Sequence, residues 1–323
     1  MDWHGRSIRM GAMVLALALV LRLWSAGFFE TVYAALVSPT LGSFLIYLET
    51  GRVVRPLPEP SLTPTTAPTQ PTETQPPPLP RFTAEDAELV NVWGTGKSVD
   101  PEDFLELPLS MDLTGSQPTV LILHTHATES YTQTEDTSYR ESSAYRTLDT
   151  AYNMVSVGDH LASLLEAGGI RVLHDPTLHD YPEYTGAYYR SEDTIKSYLE
   201  EYPEIFLVLD LHRDSAADGY GGELDTSATV HGQESAQLMF LMGTDYDTWR
   251  ENMNLAVKLT AQLEKNHPGI TRGILTRNDD YNQYLTPGTL LVEVGGAGNT
   301  QKEAFQAMQA LAEAILMLKH GAE

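Results

Sequence analysis

There is no cysteine anywhere in the 323 residues. That excludes disulfides, thiolate nucleophiles and cysteine-ligated zinc, and leaves any transition metal to histidine and carboxylates. The absence is compatible with an extracytoplasmic compartment without requiring one. Basic residues are scarce too: 20 Lys and Arg stand against 44 Asp and Glu, a formal net charge of -24. A nucleic-acid binder needs a positive footprint, and the composition supplies none. No HExxH motif occurs, which excludes the helix-borne zinc site of thermolysin-like proteases.

Long apolar runs are confined to the N-terminus. Arg6 and Arg9 precede a continuous apolar run from Met10 to Leu21, and after Arg22 the chain is mostly apolar to Phe29. A basic start followed by such a run reads as an uncleaved membrane anchor over roughly residues 10–29, with the basic end cytoplasmic; a cleaved signal peptide and buried helices are the alternatives. Residues 31–48 are a second candidate membrane segment; two spans would return the rest of the chain to the cytoplasmic side. The anchor region is thus 1–50. Residues 51–80 contain ten prolines with many threonines between them. Such a stretch is a semi-rigid extended spacer rather than core. Residues 81–116 read as a lead-in segment, and 117–323 as the main domain.

In that domain strand-like and helical patterns alternate. Strands are expected at 119–124, 170–173, 206–211, 236–242, 274–275 and 290–294. Helices are expected at 149–167, 191–202, 248–266 and 302–319. The alternation predicts an α/β fold with a mostly parallel central sheet and helices on both faces.

Three apolar strands end in reactive groups: VLILHTHATESY from Val120, IFLVLDLHRD from Ile205, and TLLVEVGGAGN from Thr289. Ligands of open α/β sheets gather at the C-terminal ends of strands. His126 and His212 each follow a buried-strand pattern, and a shared zinc would satisfy polar groups that are costly to bury alone. Catalytic zinc commonly has three protein ligands and one open position. The third ligand is open between Glu129, Asp149 and Glu293. Glu293, in an apolar strand beside two glycines, suits a general base with a raised pKa; the plainer alternative is a carboxylate paired with Arg213. Arg213 is a candidate for substrate carboxylate or oxyanion binding, with a fixed Arg213–Asp214 network as its alternative. His124 would share a strand face with His126 and support a ligand or touch substrate. His174, His179, His231, His267 and His320 read as structural or surface residues.

The stretches VLILHTHATESY, GIRVLHDPTLHD, LVLDLHRD and YNQYLTPGTLLVEVGGAGN, with DTAYNMVSVG at Asp149–Gly158, resemble the stage II sporulation protein P family from about residue 117 to the end. The anchor and linker match that family's layout as well. The resemblance implies a membrane-anchored, zinc-dependent peptidoglycan hydrolase of sporulation, an N-acetylmuramoyl-L-alanine amidase that also acts as an endopeptidase on peptide cross-links. It implies septal wall thinning and engulfment at the mother-cell membrane, facing the intermembrane space. It also implies stage II sporulation proteins D and M as partners. The wider class of zinc amidases carries a histidine after the first strand, a glutamate opening the next helix, a histidine after a later strand and a glutamate on the last. By that resemblance His126, Asp149, His212 and Glu293 take the four roles. Asp149 is one methylene shorter than the glutamate, so Glu129 stays beside it as a candidate ligand, and His124 stays a rival for the first role. Asn299 matches a family-like position that orients substrate or the last loop. Tyr181, Tyr184, Tyr188 and Tyr189 are candidates to line a glycan or peptide groove, with packing under a long loop as their alternative. The rival classes are a non-catalytic or partner-activated peptidoglycan-binding scaffold and a different zinc hydrolase.

Overall fold

The computed structural model of the chain describes residues 79–217 and 222–322. The expected anchor and nearly all of the linker lie outside them. Among the described residues no helix is long and apolar enough to cross a membrane.

In chain order, a 3-10 turn at Ala84–Leu89 leads to β1 (Val92–Gly94), α1 (Glu102–Leu105), β2 (Val120–Leu123), α2 (Met154–Ala167) and β3 (Val172–His174). Then come α3 (Ala187–Glu201), β4 (Leu207–Asp214), β5 (Ala228–Val230), β6 (Gln233–Ser235) and β7 (Leu238–Gly243). The chain closes with α4 (Trp249–Asn266), β8 (Thr271–Arg277), β9 (Thr289–Gly296) and α5 (Gln301–Leu318). Seven strands form one sheet in the order β1-β8-β7-β9-β4-β2-β3, and β5 and β6 pair as a separate hairpin. All neighbours in the large sheet run parallel except β7 and β9. The expected mostly parallel sheet is therefore present. The lead-in segment enters it, since β1 adds to the edge at β8.

The four residues of β2 are fully buried because both faces of the strand are covered. Val120 and Ile122 join the cluster containing Leu161 and Leu165 of α2, Leu259 of α4 and Leu311 of α5. Leu121 and Leu123 pack with Val208 and with Ile195 of α3. Alternation along the strand sends each pair to its own layer. Helix α5 opens on a capping box between Thr300 and Glu303, which satisfies donors that the first turn leaves free.

Strand β2 lies between β3 and β4, so the chain leaves it on one side and returns on the other. A crevice opens at such a reversal, at the C-terminal strand ends. His124 and His126 follow β2 there, and His212 sits near the end of β4.

Candidate metal centre

The turn after β2 is tight: the Glu129 amide donates to the His126 carbonyl (3.1 Å), which folds the Glu129 carboxylate back beside the histidine. Glu129 Oε1 lies 3.7 Å from His126 Nδ1, and its Oε2 lies 3.6 Å from His212 Nδ1. All three residues are buried, and one donor atom from each falls within 4.8 Å of the others. Donors about 2.0–2.1 Å from one tetrahedral ion stand roughly 3.3 Å apart, so the three are close to ligand spacing as they are. A metal-binding group with two imidazoles, one carboxylate and an open side fits this donor set.

The far side of His212 is also prepared. Its Nε2 lies 3.0 Å from Asp210 Oδ1, out of line for a hydrogen bond, and so counts as an unpartnered buried nitrogen. Asp210 is held by the Thr125 amide (2.7 Å) and the Thr125 hydroxyl (2.6 Å). A carboxylate behind a ligating imidazole fixes its ring and tautomer. Asp210 escaped the sequence reading, although it stands two residues before His212, on the same strand face. Arg146 escaped it too. Its guanidinium donates to Glu129 Oε1 (3.1 Å) and to Asp180 Oδ2 (2.7 Å), tying the loop after β2 to the segment after β3.

The charges within the cluster oppose one another. Burial pushes the Glu129 carboxyl up, but His212, Arg213 and His126 outweigh it and bring it down to about 2. Burial likewise raises Asp210, and His212 and Thr125 return it to about 2. Burial depresses His212, yet Asp210 and Glu129 hold it well above the usual histidine range. His126 is lowered to about 4, chiefly by burial and then by His212. Near neutral pH a proton on His212 is thus the cation between two buried carboxylates, and a divalent metal must displace it. Zinc binding at this site at pH 7 is expected to release protons, from His212, which its two carboxylates hold charged, and from Glu293. Calorimetry in buffers of different ionisation enthalpy reads this directly; a release of zero would exclude His212 as a ligand.

Glu293 stands on β9 in register with His212 on β4, and register partners in a parallel pair project to the same face. The register shifts just beyond, where Gly295 takes a left-handed φ of 66°. Such bulges re-aim side chains beside functional sites. Glu293 Oε2 is buried without a hydrogen-bond partner. Burial raises the carboxyl to about 8, against the opposing pull of His212. No ion pair between Glu293 and Arg213 forms.

Beside the cluster opens a cleft of about 600 Å³ lined by His126, Tyr184, Tyr188, Tyr189, Tyr281 and Tyr284, with Glu192, Asp279 and Asp280. Tyr184 stacks on the His126 ring (centroids 4.5 Å apart), and Tyr188 meets it edge-on at 5.5 Å. Three of the four expected tyrosines therefore line a groove. Tyr181, half exposed, is not among the lining residues.

Four other expected site residues lie elsewhere. Asp149 is exposed and outside the cluster, its Oδ1 accepting from the Ala151 amide (3.1 Å). The helix it was expected to open starts later, at Met154, with Asn153 as its cap. Arg213 faces away from the cluster, as alternation from His212 requires. Its Nε donates to the Ser130 carbonyl (3.1 Å) and its Nη2 to the Tyr145 carbonyl (3.0 Å), which staples the loop. The expected Arg213–Asp214 network is replaced by an Asp214–Arg272 pair at 2.9 Å.

His124 does not share a face with His126, because β2 ends at Leu123. It is fully buried, with Nδ1 3.1 Å from the Leu211 carbonyl and Nε2 2.9 Å from His174 Nε2, out of reach of substrate. His174 in turn meets Asp159 at 2.9 Å. This chain presses on α2 at Gly158, where an added Cβ would run first into His174 Nε2 and fall 2.6 Å from His124 Nε2. The His124 ring is pinned at both nitrogens and cannot retreat. Gly158→Ala is expected to cost about 1–3 kcal/mol, seen as a thermal midpoint lower by roughly 2–10 °C.

Asn299 is fully buried as well. Its Oδ1 accepts from the Gly296 amide (2.9 Å), and its Nδ2 donates to the Thr226 carbonyl (2.7 Å). It organises the last loop, one of its two expected roles, and has no free atom for substrate.

A sequence model described as stage II sporulation protein P matches residues 65–316. The stage II sporulation protein P of Bacillus subtilis (strain 168) is 29% identical over 262 residues, covering 76% of this chain and 62% of that protein. The chain thus spans less than two thirds of the length of that relative. Among solved structures, the catalytic domain of CwlV, an N-acetylmuramoyl-L-alanine amidase of Bacillus (Paenibacillus) polymyxa var. colistinus, is similar at a TM-score of 0.34 and 12% identity, covering 61% of this chain and 96% of that one. An N-acetylmuramoyl-L-alanine amidase of Clostridium difficile 630 is similar at the same TM-score and identity, covering 62% and 96%. With its sequence matched by the family model over most of its length, the chain belongs to the stage II sporulation protein P family.

Proposed function

We propose that the protein is a zinc-dependent peptidoglycan hydrolase that cleaves the amide between the lactyl carbonyl of N-acetylmuramic acid and L-alanine, with a second, endopeptidase action on stem-peptide cross-links. The observation that carries this reading is the position of Glu293. Its Oε2 is buried without a hydrogen-bond partner, the residue stands in register with His212 of the ligand-spaced His126, Glu129 and His212, and a tyrosine-lined cleft opens at His126. Family membership supports the wall substrate and the setting in sporulation.

His126, Glu129 and His212 would hold the zinc. When bound, the ion supplies Lewis acidity toward the scissile carbonyl and makes water a nucleophile near neutral pH. Asp210, 3.0 Å from His212 Nε2, would orient that ring once a small rotation completes the hydrogen bond, and Arg146 donates to Glu129 beside it. Glu293 takes the proton of the attacking water at its carboxylate and returns it to the leaving nitrogen. Its pKa of about 8 belongs to the metal-free site; a neighbouring divalent charge lowers it, so the carboxylate form is available at neutral pH. The cleft tyrosines stack against sugar or peptide. The anchor at residues 10–29, the extracytoplasmic placement of the catalytic domain and the partnership with stage II sporulation proteins D and M belong to the same proposal.

The test is product analysis. Full-length, zinc-loaded protein is given defined cross-linked muropeptides, and the products are read by mass spectrometry. Intact stem peptides with a free L-alanine amine are expected, and shortened cross-links would add endopeptidase action. Zinc-loaded protein that leaves both bonds whole would instead make it a wall-binding scaffold or an enzyme silent without a partner.

A further inference from the structure

A second set of imidazole and carboxylate donors sits outside the site just described. His231 Nε2 lies 2.6 Å from Glu313 Oε1, and His267 Nε2 lies 2.8 Å from Glu313 Oε2. The two imidazoles meet edge to face, 5.0 Å between centroids. One donor from each residue falls within 4.8 Å of the others. The three come from separate elements: His231 from the turn between β5 and β6, His267 from the C-terminal cap of α4, and Glu313 from α5.

We infer that His231, His267 and Glu313 form a second site for a divalent transition cation of the zinc class, which fastens the β5–β6 hairpin to α4 and α5. Nitrogen and carboxylate donors without sulfur suit zinc and its neighbours.

The hairpin turn supplies an independent observation. Both of its central residues have positive φ, 51° at His231 and 76° at Gly232. A two-residue turn of that kind favours asparagine, aspartate or glycine at each position. Histidine is less usual than asparagine or glycine at the first of them, though it takes positive φ more readily than most side chains. Here the turn aims the imidazole at Glu313.

The present contacts are hydrogen bonds, shorter than the roughly 3.3 Å between donors on a tetrahedral zinc. The side chains must therefore part by several tenths of an ångström. They have room, because the His231 side chain is 55% exposed and that of Glu313 is 39% exposed. Each imidazole turns to the tautomer with its proton on Nδ1, which frees Nε2, and the ion takes the place of the two Nε2 protons against Glu313. Water completes the coordination. The bond crosses from the hairpin to both helices, where Gln306 Nε2 already donates to the Val230 carbonyl (3.2 Å).

The experiment is a zinc count by competition with a chromophoric chelator, on full-length protein first stripped of metal. The parent is expected to bind two zinc ions per chain. His231→Asn, which keeps a residue suited to the left-handed turn, is expected to bind one, as is Glu313→Gln. His212→Ala is expected to bind one through the second site, and the His212→Ala, His231→Asn double variant none. A parent that binds one ion, lost with His212→Ala and kept in His231→Asn, would overturn the second site while leaving the first intact. If His231→Asn removes one of two ions and His212→Ala removes none, the second site stands and the first fails. His231→Asn and Glu313→Gln that still bind two ions would also overturn it.

Discussion

Replacing Glu293 with glutamine is expected to lower amide hydrolysis by about 10²–10⁴-fold, the range that one positioned acid–base group supplies, and to leave zinc binding within a few fold. Glutamine keeps the size and planarity of the side chain and loses only the ability to carry the proton. Mass-spectrometric rates and a chelator titration on the same preparation separate the two effects. A variant that lost zinc along with activity would place Glu293 among the ligands instead. A second readout follows from the burial of this carboxyl. Its folded pKa of about 8 stands above the ordinary value of 4.5. The folded metal-free protein therefore binds the proton more tightly than the unfolded chain. The group costs nothing below about pH 4.5; its cost grows as pH rises through the window and is complete above about pH 8. The thermal midpoint of metal-free Glu293→Gln should accordingly gain on that of the parent from pH 5 to pH 8 and then level off. Equal pH profiles would mean that the carboxyl is solvated in the folded protein.

The second large effect concerns the carboxylate ligand. Glu129→Gln and His212→Ala are each expected to weaken zinc binding at the first site by more than about 100-fold. That exceeds the roughly 10–100-fold range of groups that only support a ligand, in which Asp210→Asn is expected to fall. Asp149→Asn should change affinity by less than about threefold, since its side chain serves an exposed turn. The comparison is read by chelator competition at a fixed pH, with the His231→Asn background used to isolate the first site. Strong loss in Asp149→Asn with none in Glu129→Gln would reverse the assignment and require the 147–153 segment to refold around the metal. Removal of Glu129 also leaves Arg146 and a protonated His212 facing each other without their shared carboxylate. Breaking a buried pair in this way costs about 3–5 kcal/mol. Zinc-free stability of Glu129→Gln should therefore fall as well.

Much of this molecule was legible in the one-dimensional pattern. Runs such as Val120–Leu123 and Thr289–Val294 are apolar on every residue but Thr289 and Glu293, and in water a chain can bury such runs on both faces only between helical layers. That determined the α/β class, the strand ends as the place for chemistry, and His126, His212 and Glu293 as the residues to watch. Absence of cysteine had already limited the metal chemistry to nitrogen and oxygen.

What only tertiary structure decided was direction and proximity. His124 and His126 are two apart, which in a continuing strand means one face; the strand stops at Leu123, and the histidines separate into core and cleft. Asp149 was placed at a helix start by its position before an amphipathic run, whereas Asn153 wins the cap because its side chain reaches the Val155 amide. Glu129 became the neighbour of both histidines through a single turn hydrogen bond that no periodicity encodes. Arg213 and Asn299 are polar residues beside a site, but backbone carbonyls and amides across long sequence separations claim them. His231, His267 and Glu313 meet across elements up to 82 residues apart. Local pattern reports which face a residue takes within its own element. Which faces meet is set by packing the whole sheet and its helices at once, and the site is made of such meetings.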